Sequence, residues 1–226
     1  MDPQRGQLLR KHTILFLAAN PLGADRLALA EEARAIQLEL ERSGHRDAFE
    51  LVTRWAVQPM DLLRELRRLK PTIVHFSGHG TTSPSDELCG DVLAMADRAH
   101  GGAPHGLVFE TADGRPQLVS ATALAQTFGA AGSSVRVVVL NACYSDAHAA
   151  ALTRQVGCVV GMPGAIRDVA ARIFAVGFYG GVGERESVAA AFRQGWAALE
   201  LHGLVGRERP QLTVRAGLDA ERLVIA

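Results

Sequence analysis

The chain has 226 residues, 48% of them hydrophobic, enough to build a sizeable core. Its 24 basic and 24 acidic residues balance, so no global field draws it to nucleic acid or to an anionic membrane. No stretch approaches the roughly 20 apolar residues of a membrane span, and three scattered cysteines, Cys89, Cys143 and Cys158, do not make a disulfide framework.

Residues 1–12 read as a short leader, and 13–226 as one α/β domain without internal repeats. The apolar run after Lys11 is too short for a signal peptide and ends at Asn20-Pro21. A reducing cytoplasm and free thiols are therefore expected. Thr13 to Ala19 reads as a buried strand. Leu29, Ala33, Ile36 and Leu40 then mark an amphipathic helix, with Glu31, Glu32, Glu39 and Glu41 assigned to its other faces. Phe49 to Trp55 is a second strand, Pro59 opens a helix through Leu62, Leu66 and Leu69, and Thr72 to Phe76 is a third strand. Alternating strands and helices predict a mostly parallel central sheet with helices on both faces.

The third strand ends in Ser77-Gly78-His79-Gly80. From Thr81 to Gly106 the pattern dissolves into a surface excursion rich in Gly, Pro, Ser and charge. Within it, Cys89, His100 and His105 match no zinc spacing, and neither a metal nor another cofactor is expected. Asp113-Gly114 signals a hairpin between Leu107–Glu110 and Gln117–Val119, and Ser120 caps a helix through Leu124 and Phe128. Val135 to Leu140 is an apolar strand that ends at Asn141-Ala142-Cys143, and a helix is expected from Ser145. Cys158 to Gly161 is a further strand. Val169, Ile173 and Val176 mark a helix, Gly180 to Gly183 a flexible turn, Val188 to Leu199 the last long helix, and Leu212 to Arg215 an edge strand.

Chemistry in open parallel sheets collects at the carboxyl ends of strands, where both His79 and Cys143 fall. Taken alone, a cysteine after an apolar strand is ordinarily a small buried hydrophobe. Paired with a histidine at the same edge, it has the elements of a nucleophile and its base. The backbone N–H groups of Gly80 and Cys143 would form the oxyanion hole, a contact of about 2.7–4 kcal/mol per donor. Acyl transfer from a peptide or ester is the chemistry this suits. His75 reads as a structural histidine, Cys158 as core, and Arg64, Arg67, Arg68 and Lys70 as a solvated helix face.

At IVHFSGHG (Ile73 to Gly80) and VVVLNACYS (Val137 to Ser145) the chain resembles CHAT-domain proteins, bacterial caspase-like cysteine peptidases that include relatives of separase. The likeness extends to blocks at Ile14–Ile36, Phe49–Val57, Pro116–Phe128 and Gly161–Gly183. It implies a caspase-like α/β fold, His79 as base, Cys143 as nucleophile, and an endopeptidase working in bacterial antiviral defence or cell death. The implied partners are protein substrates and an activating protease or a sensor protein; an idle binding or scaffold module is the alternative reading. Asn141 stands where metacaspase-like relatives commonly carry an aspartate that selects basic residues, so a preference for Arg or Lys does not carry over. Asp168 is another candidate substrate-binding acid, equally readable as a helix N-terminal acid. The segment between Cys143 and Cys158 reads as one helix and offers no linker for a maturing cut, and the 81–106 excursion is expected to gate the site or receive one.

Overall fold

The computed structural model describes residues 11–81, 106–204 and 209–225. The first strand, β1 (His12–Ala18), is followed by α1 (Leu29–Arg42), β2 (Phe49–Arg54), α2 (Pro59–Leu69) and β3 (Ile73–Ser77). Then come three short strands, β4 (His79–Thr81), β5 (Gly106–Glu110) and β6 (Pro116–Ser120), and the helix α3 (Ala121–Ala131). The chain continues as β7 (Val137–Asn141), a 3-10 turn (Ser145–His148), α4 (Ala149–Leu152) and β8 (Cys158–Gly161). It closes with α5 (Asp168–Gly183), α6 (Val188–Leu201) and β9 (Gln211–Val214).

Six strands form the main sheet in the order β2-β1-β3-β7-β8-β9. All neighbours are parallel except β9, which runs antiparallel along β8. Alternate strand residues feed two cores, as period-2 geometry requires. Ile14, Phe16, Val137 and Val139 join α1, α5 and α6 on one face. Leu15, Leu17, Val138 and Leu140 join Leu62 and Leu66 of α2 and Leu124 and Phe128 of α3 on the other. The mostly parallel, helix-flanked sheet predicted from sequence is therefore the observed one.

Three expectations are revised. Gly180 to Gly183 is helix and not a turn, the last residues of α5. Gly181 and Gly183 serve close packing: a Cβ on Gly181 would lie 2.7 Å from Ala191 Cα of α6, and one on Gly183 2.7 Å from Ser43 Cβ; earlier in the helix, one on Gly177 would lie 2.5 Å from the Gln194 carbonyl oxygen. The helix expected after Cys143 is a four-residue 3-10 turn and a four-residue α4, too short to carry much dipole. The third strand ends at Ser77, and His79 is not its tail but opens β4 of a separate antiparallel sheet, β4-β5-β6. Leu107 and Phe109 of β5 anchor that sheet in the core under α2 and α3.

Thr81 and Gly106 pair directly across β4 and β5. The excursion thus leaves and returns at one point of the small sheet; Cys89, His100 and His105 lie outside the described residues. Among the described residues no helix is long and apolar enough to cross a membrane.

Candidate active site

The β3–β7 ladder positions both candidate residues. Its register runs Ile73↔Val137 to Ser77↔Asn141, and Gly78 N–H donates to the Asn141 carbonyl at 3.1 Å. His79 and Cys143 each stand two residues past the last matched pair. A Cβ on Gly80 would come within 2.1 Å of the Cys143 carbonyl oxygen, so the two strand ends are in main-chain contact and only glycine fits there. The structure thus brings His79, Gly80 and Cys143 to one place at the carboxyl edge. All three are partly exposed.

His79 Nε2 lies 3.1 Å from both the Asn20 Oδ1 and the Asp25 carbonyl oxygen. Both partners only accept, so Nε2 carries the proton and the neutral ring keeps its lone pair on Nδ1. Burial pushes the imidazole pKa down from its ordinary value, against opposing contributions from the Asp25 carbonyl and the charges of Asp25 and Asp168. A neutral ring with a basic nitrogen is the state a general base requires. Asn20 is itself fixed, its N–H donating to Glu110 Oε1 at 2.8 Å.

The turn carrying Cys143 is pinned from two sides. Tyr144 takes a left-handed conformation, φ 55° and ψ 27°, and its N–H donates to the Gly164 carbonyl at 3.2 Å. The fully buried Ser145 hydroxyl donates to the Leu140 carbonyl at 2.9 Å and accepts from Met162 N–H at 3.0 Å. These bonds tie the turn to the segment that follows β8. The Cys143 Sγ lies 4.0 Å from the Ile166 carbonyl oxygen of that segment.

The two candidate specificity residues part company. Asp168 opens α5, and its Oδ2 accepts the Ala28 N–H at 3.1 Å at the start of α1. It remains partly exposed and close enough to act on His79 electrostatically. Its helix-end role and its place near the base are both real. Asn141 does not line the rim. It is 4% exposed, and its amide donates to Glu32 and, at 3.2 Å, to the Ala171 carbonyl. The physical reason is alternation: Val137, Val139 and Asn141 all project from β7 to the α1/α5 face, beneath the edge where a substrate would lie. The proposed substrate-binding role of Asn141 is corrected on that ground.

Beneath the rim lies a polar cluster that sequence reasoning missed. Glu32, 1% exposed, accepts from Ser77 Oγ–H, from Asn141 Nδ2–H and from His75 Nε2–H at 3.1 Å. Tyr179 hydroxyl completes the chain at His75 Nδ1, 3.1 Å away. Burial raises the Tyr179 pKa well above its usual value, so the phenol keeps its proton. Burial alone would also raise the Glu32 pKa, but His75 and the hydrogen bonds from His75, Ser77 and Asn141 outweigh it and hold the carboxyl below its usual value. The signal was present in the sequence: Glu32 lies three residues after Leu29 and four before Ile36, on the apolar stripe and not opposite it. Among the described residues no group of three or more His, Cys, Asp or Glu side chains is arranged to hold a metal ion.

A family model for the CHAT domain matches residues 10–200. The chain belongs to the CHAT domain family. A CHAT relative named "Roc-COR-CHAT protease", from an unknown prokaryotic organism, is 24% identical over 194 residues. That match covers 83% of this chain but 16% of the relative's length. Two solved structures share the caspase-like fold of this CHAT domain at 12% identity. One is a secreted C11 cysteine protease from Bacteroides thetaiotaomicron in complex with an irreversible peptide inhibitor, with TM-score 0.60, covering 93% of this chain and 62% of that one. The other is an inactive zymogen C11 protease from Parabacteroides distasonis, with TM-score 0.56, covering 92% and 62%.

Proposed function

We propose that the protein is a cysteine endopeptidase working through a His79–Cys143 dyad. The observation that carries this reading is the shared register: two parallel neighbouring strands end at the paired Ser77 and Asn141, and the histidine and the cysteine follow each at the same offset, with Gly80 against the Cys143 carbonyl. In the reaction, His79 takes the Cys143 thiol proton and the sulfur attacks the scissile carbonyl. The N–H groups of Gly80 and Cys143 receive the oxyanion. His79 then returns the proton to the leaving amine, and water, deprotonated by the same imidazole, hydrolyses the thioester and regenerates the thiol.

Asp168, partly exposed and close enough to act on His79, is an acid available to a substrate side chain. The names of the relatives, a Roc-COR-CHAT protease and two C11 proteases, support peptide bonds as the substrate class. The physiological part of the reading, an effector in defence or cell death acting in the cytoplasm under a sensor or an activating protease, rests on the family resemblance.

The test is direct. Wild-type protein, presented with a proteome, should generate new termini and take up an electrophilic peptide on Cys143. Cys143→Ala and His79→Ala should do neither while keeping the wild-type circular dichroism. Cleavage that survives Cys143→Ala would reject the dyad, and a folded wild type that neither cleaves nor labels would favour an idle binding module.

A further inference from the structure

The β3–β7 ladder pairs the two strand ends at Ser77 and Asn141 and stops two residues short of the dyad, so that pairing by itself does not reach His79 and Cys143. On the α1/α5 face one side chain spans the two strand ends. Glu32 accepts from Ser77, the last residue of β3, and from Asn141, the last residue of β7. It also accepts from His75 Nε2–H, whose Nδ1 is held by the Tyr179 hydroxyl of α5. With three donors on one buried carboxylate, each strand end is tied to α1 and through it to the other.

Two details argue that this cluster is more than filler. Among the described residues the buried Asn141 Oδ1 has no hydrogen-bond partner, so the amide orientation is set by its donor side, towards Glu32 and the Ala171 carbonyl. A buried carboxylate is a weak device for stability, since an apolar side chain would pack there without the desolvation penalty. Its value lies in direction: it accepts from both strand ends at once, which no apolar side chain can do.

We propose that Glu32 is the positioning residue of the dyad, holding the ends of β3 and β7 in the relation from which His79 and Cys143 meet. The proposal rests on the peptidase reading above. Glu32 does not touch substrate; it acts through Ser77 and Asn141, each two residues from a dyad member. Glu32→Gln keeps the size of the side chain but removes the charge; one oxygen can still accept from His75 and Asn141, while the nitrogen that replaces the other turns a donor towards Ser77 Oγ. The charge that draws in both strand ends is then gone and the Ser77 bond has to reverse or break, and misplacement of reacting groups by about 1 Å costs on the order of 100-fold in rate.

The experiment compares wild type, His79→Ala, Glu32→Gln and the milder Ser77→Ala, which removes one donor and leaves the charge. Each is assayed for kcat and KM on a cleaved peptide. Each is also assayed for alkylation of Cys143 by iodoacetamide across pH 5 to 9, read by peptide mapping, which needs no peptidase turnover. The groups facing His79 in that titration are Asp25 and Asp168, and no variant alters them. Glu32→Gln is expected to lower kcat by roughly 10- to 100-fold with KM within about threefold, and to lose most of the His79-dependent acceleration of alkylation near neutral pH. Ser77→Ala should show a smaller loss of the same kind, and it carries the test if Glu32→Gln does not fold. A folded Glu32→Gln, or in its place Ser77→Ala, with the wild-type kcat and alkylation profile overturns the positioning role alone. Wild-type Cys143 that alkylates no faster than in His79→Ala sinks the dyad reading, and this proposal with it.

Discussion

Gly80 rests against the main-chain carbonyl of Cys143, so closely that a single Cβ would stand 2.1 Å from the oxygen. The neighbour is backbone in a turn pinned by Ser145 and Tyr144, and it cannot swing aside as a side chain could. Gly80→Ala must therefore push β4 away from Cys143. The expected outcome is a stability loss of about 1–3 kcal/mol and loss of Cys143 labelling by an electrophilic peptide. Thermal unfolding and labelling kinetics measure the two effects, and an alanine variant that labels at the wild-type rate would contradict the close approach.

The His79 imidazole is expected to titrate below the ordinary histidine value of 6.5, because burial disfavours its charged form. The folded state therefore favours the neutral ring. Its contribution to stability is present above the unfolded value and is lost as pH falls towards and through the lower folded value. Asp168 opposes the shift, so Asp168→Asn, which still offers an oxygen to Ala28 N–H, should move the titration further down. Histidine NMR in a Cys143→Ala background reads this midpoint. No movement, or movement upward, would show that Asp168 is not acting on His79.

Two cysteines should behave oppositely. Cys158 is fully buried, and burial raises its thiol pKa to about 11, which leaves almost no thiolate near neutral pH. Cys143 is partly exposed beside the Ile166 carbonyl. Under native conditions iodoacetamide should modify Cys143 and spare Cys158 until the protein unfolds. Comparable native rates at the two sites, resolved by peptide mass spectrometry, would count against the placement of both.

Packing between α5 and α6 offers a control remote from the rim. Gly181 faces Ala191 Cα and Gln194 Oε1, at 2.7 and 2.9 Å from a built Cβ. Gly181→Val should force these helices apart at a cost of about 1–3 kcal/mol. Denaturant unfolding should register that cost while Cys143 alkylation in the folded fraction stays at the wild-type rate. A change in alkylation would mean that α5 transmits strain to the turn.

The parallel sheet was legible in the chain because apolar runs such as Val137 to Leu140, bounded by turn residues, leave few alternatives to a buried strand. The hairpin at Asp113-Gly114 and the Ser120 cap were legible for a similar reason, since each is a local hydrogen-bonding solution written in neighbouring residues. Placing His79 and Cys143 at strand ends also needed nothing but the pattern. That both residues lie at one place on the sheet edge depended on register and strand order, which parallel neighbours far apart in sequence settle only when the whole sheet closes.

Glycines at 180, 181 and 183 read as a turn because backbone freedom is the local property of glycine; that α6 would lie against Gly181, and the end of α1 against Gly183, is a tertiary fact. Asn141 read as a pocket residue because it stands where metacaspase-like relatives carry a selecting aspartate, yet strand alternation and the carboxylate of Glu32 turn it inward. The proton on His79 Nε2 is fixed by the Asp25 carbonyl, a group every residue carries and no sequence pattern marks. Sequence by itself determined which segments would be buried and where the candidate site residues would emerge, because hydrophobic periodicity is local. Tertiary structure alone decided which polar groups share a site, because hydrogen bonds between distant segments form only after the apolar faces have set their geometry.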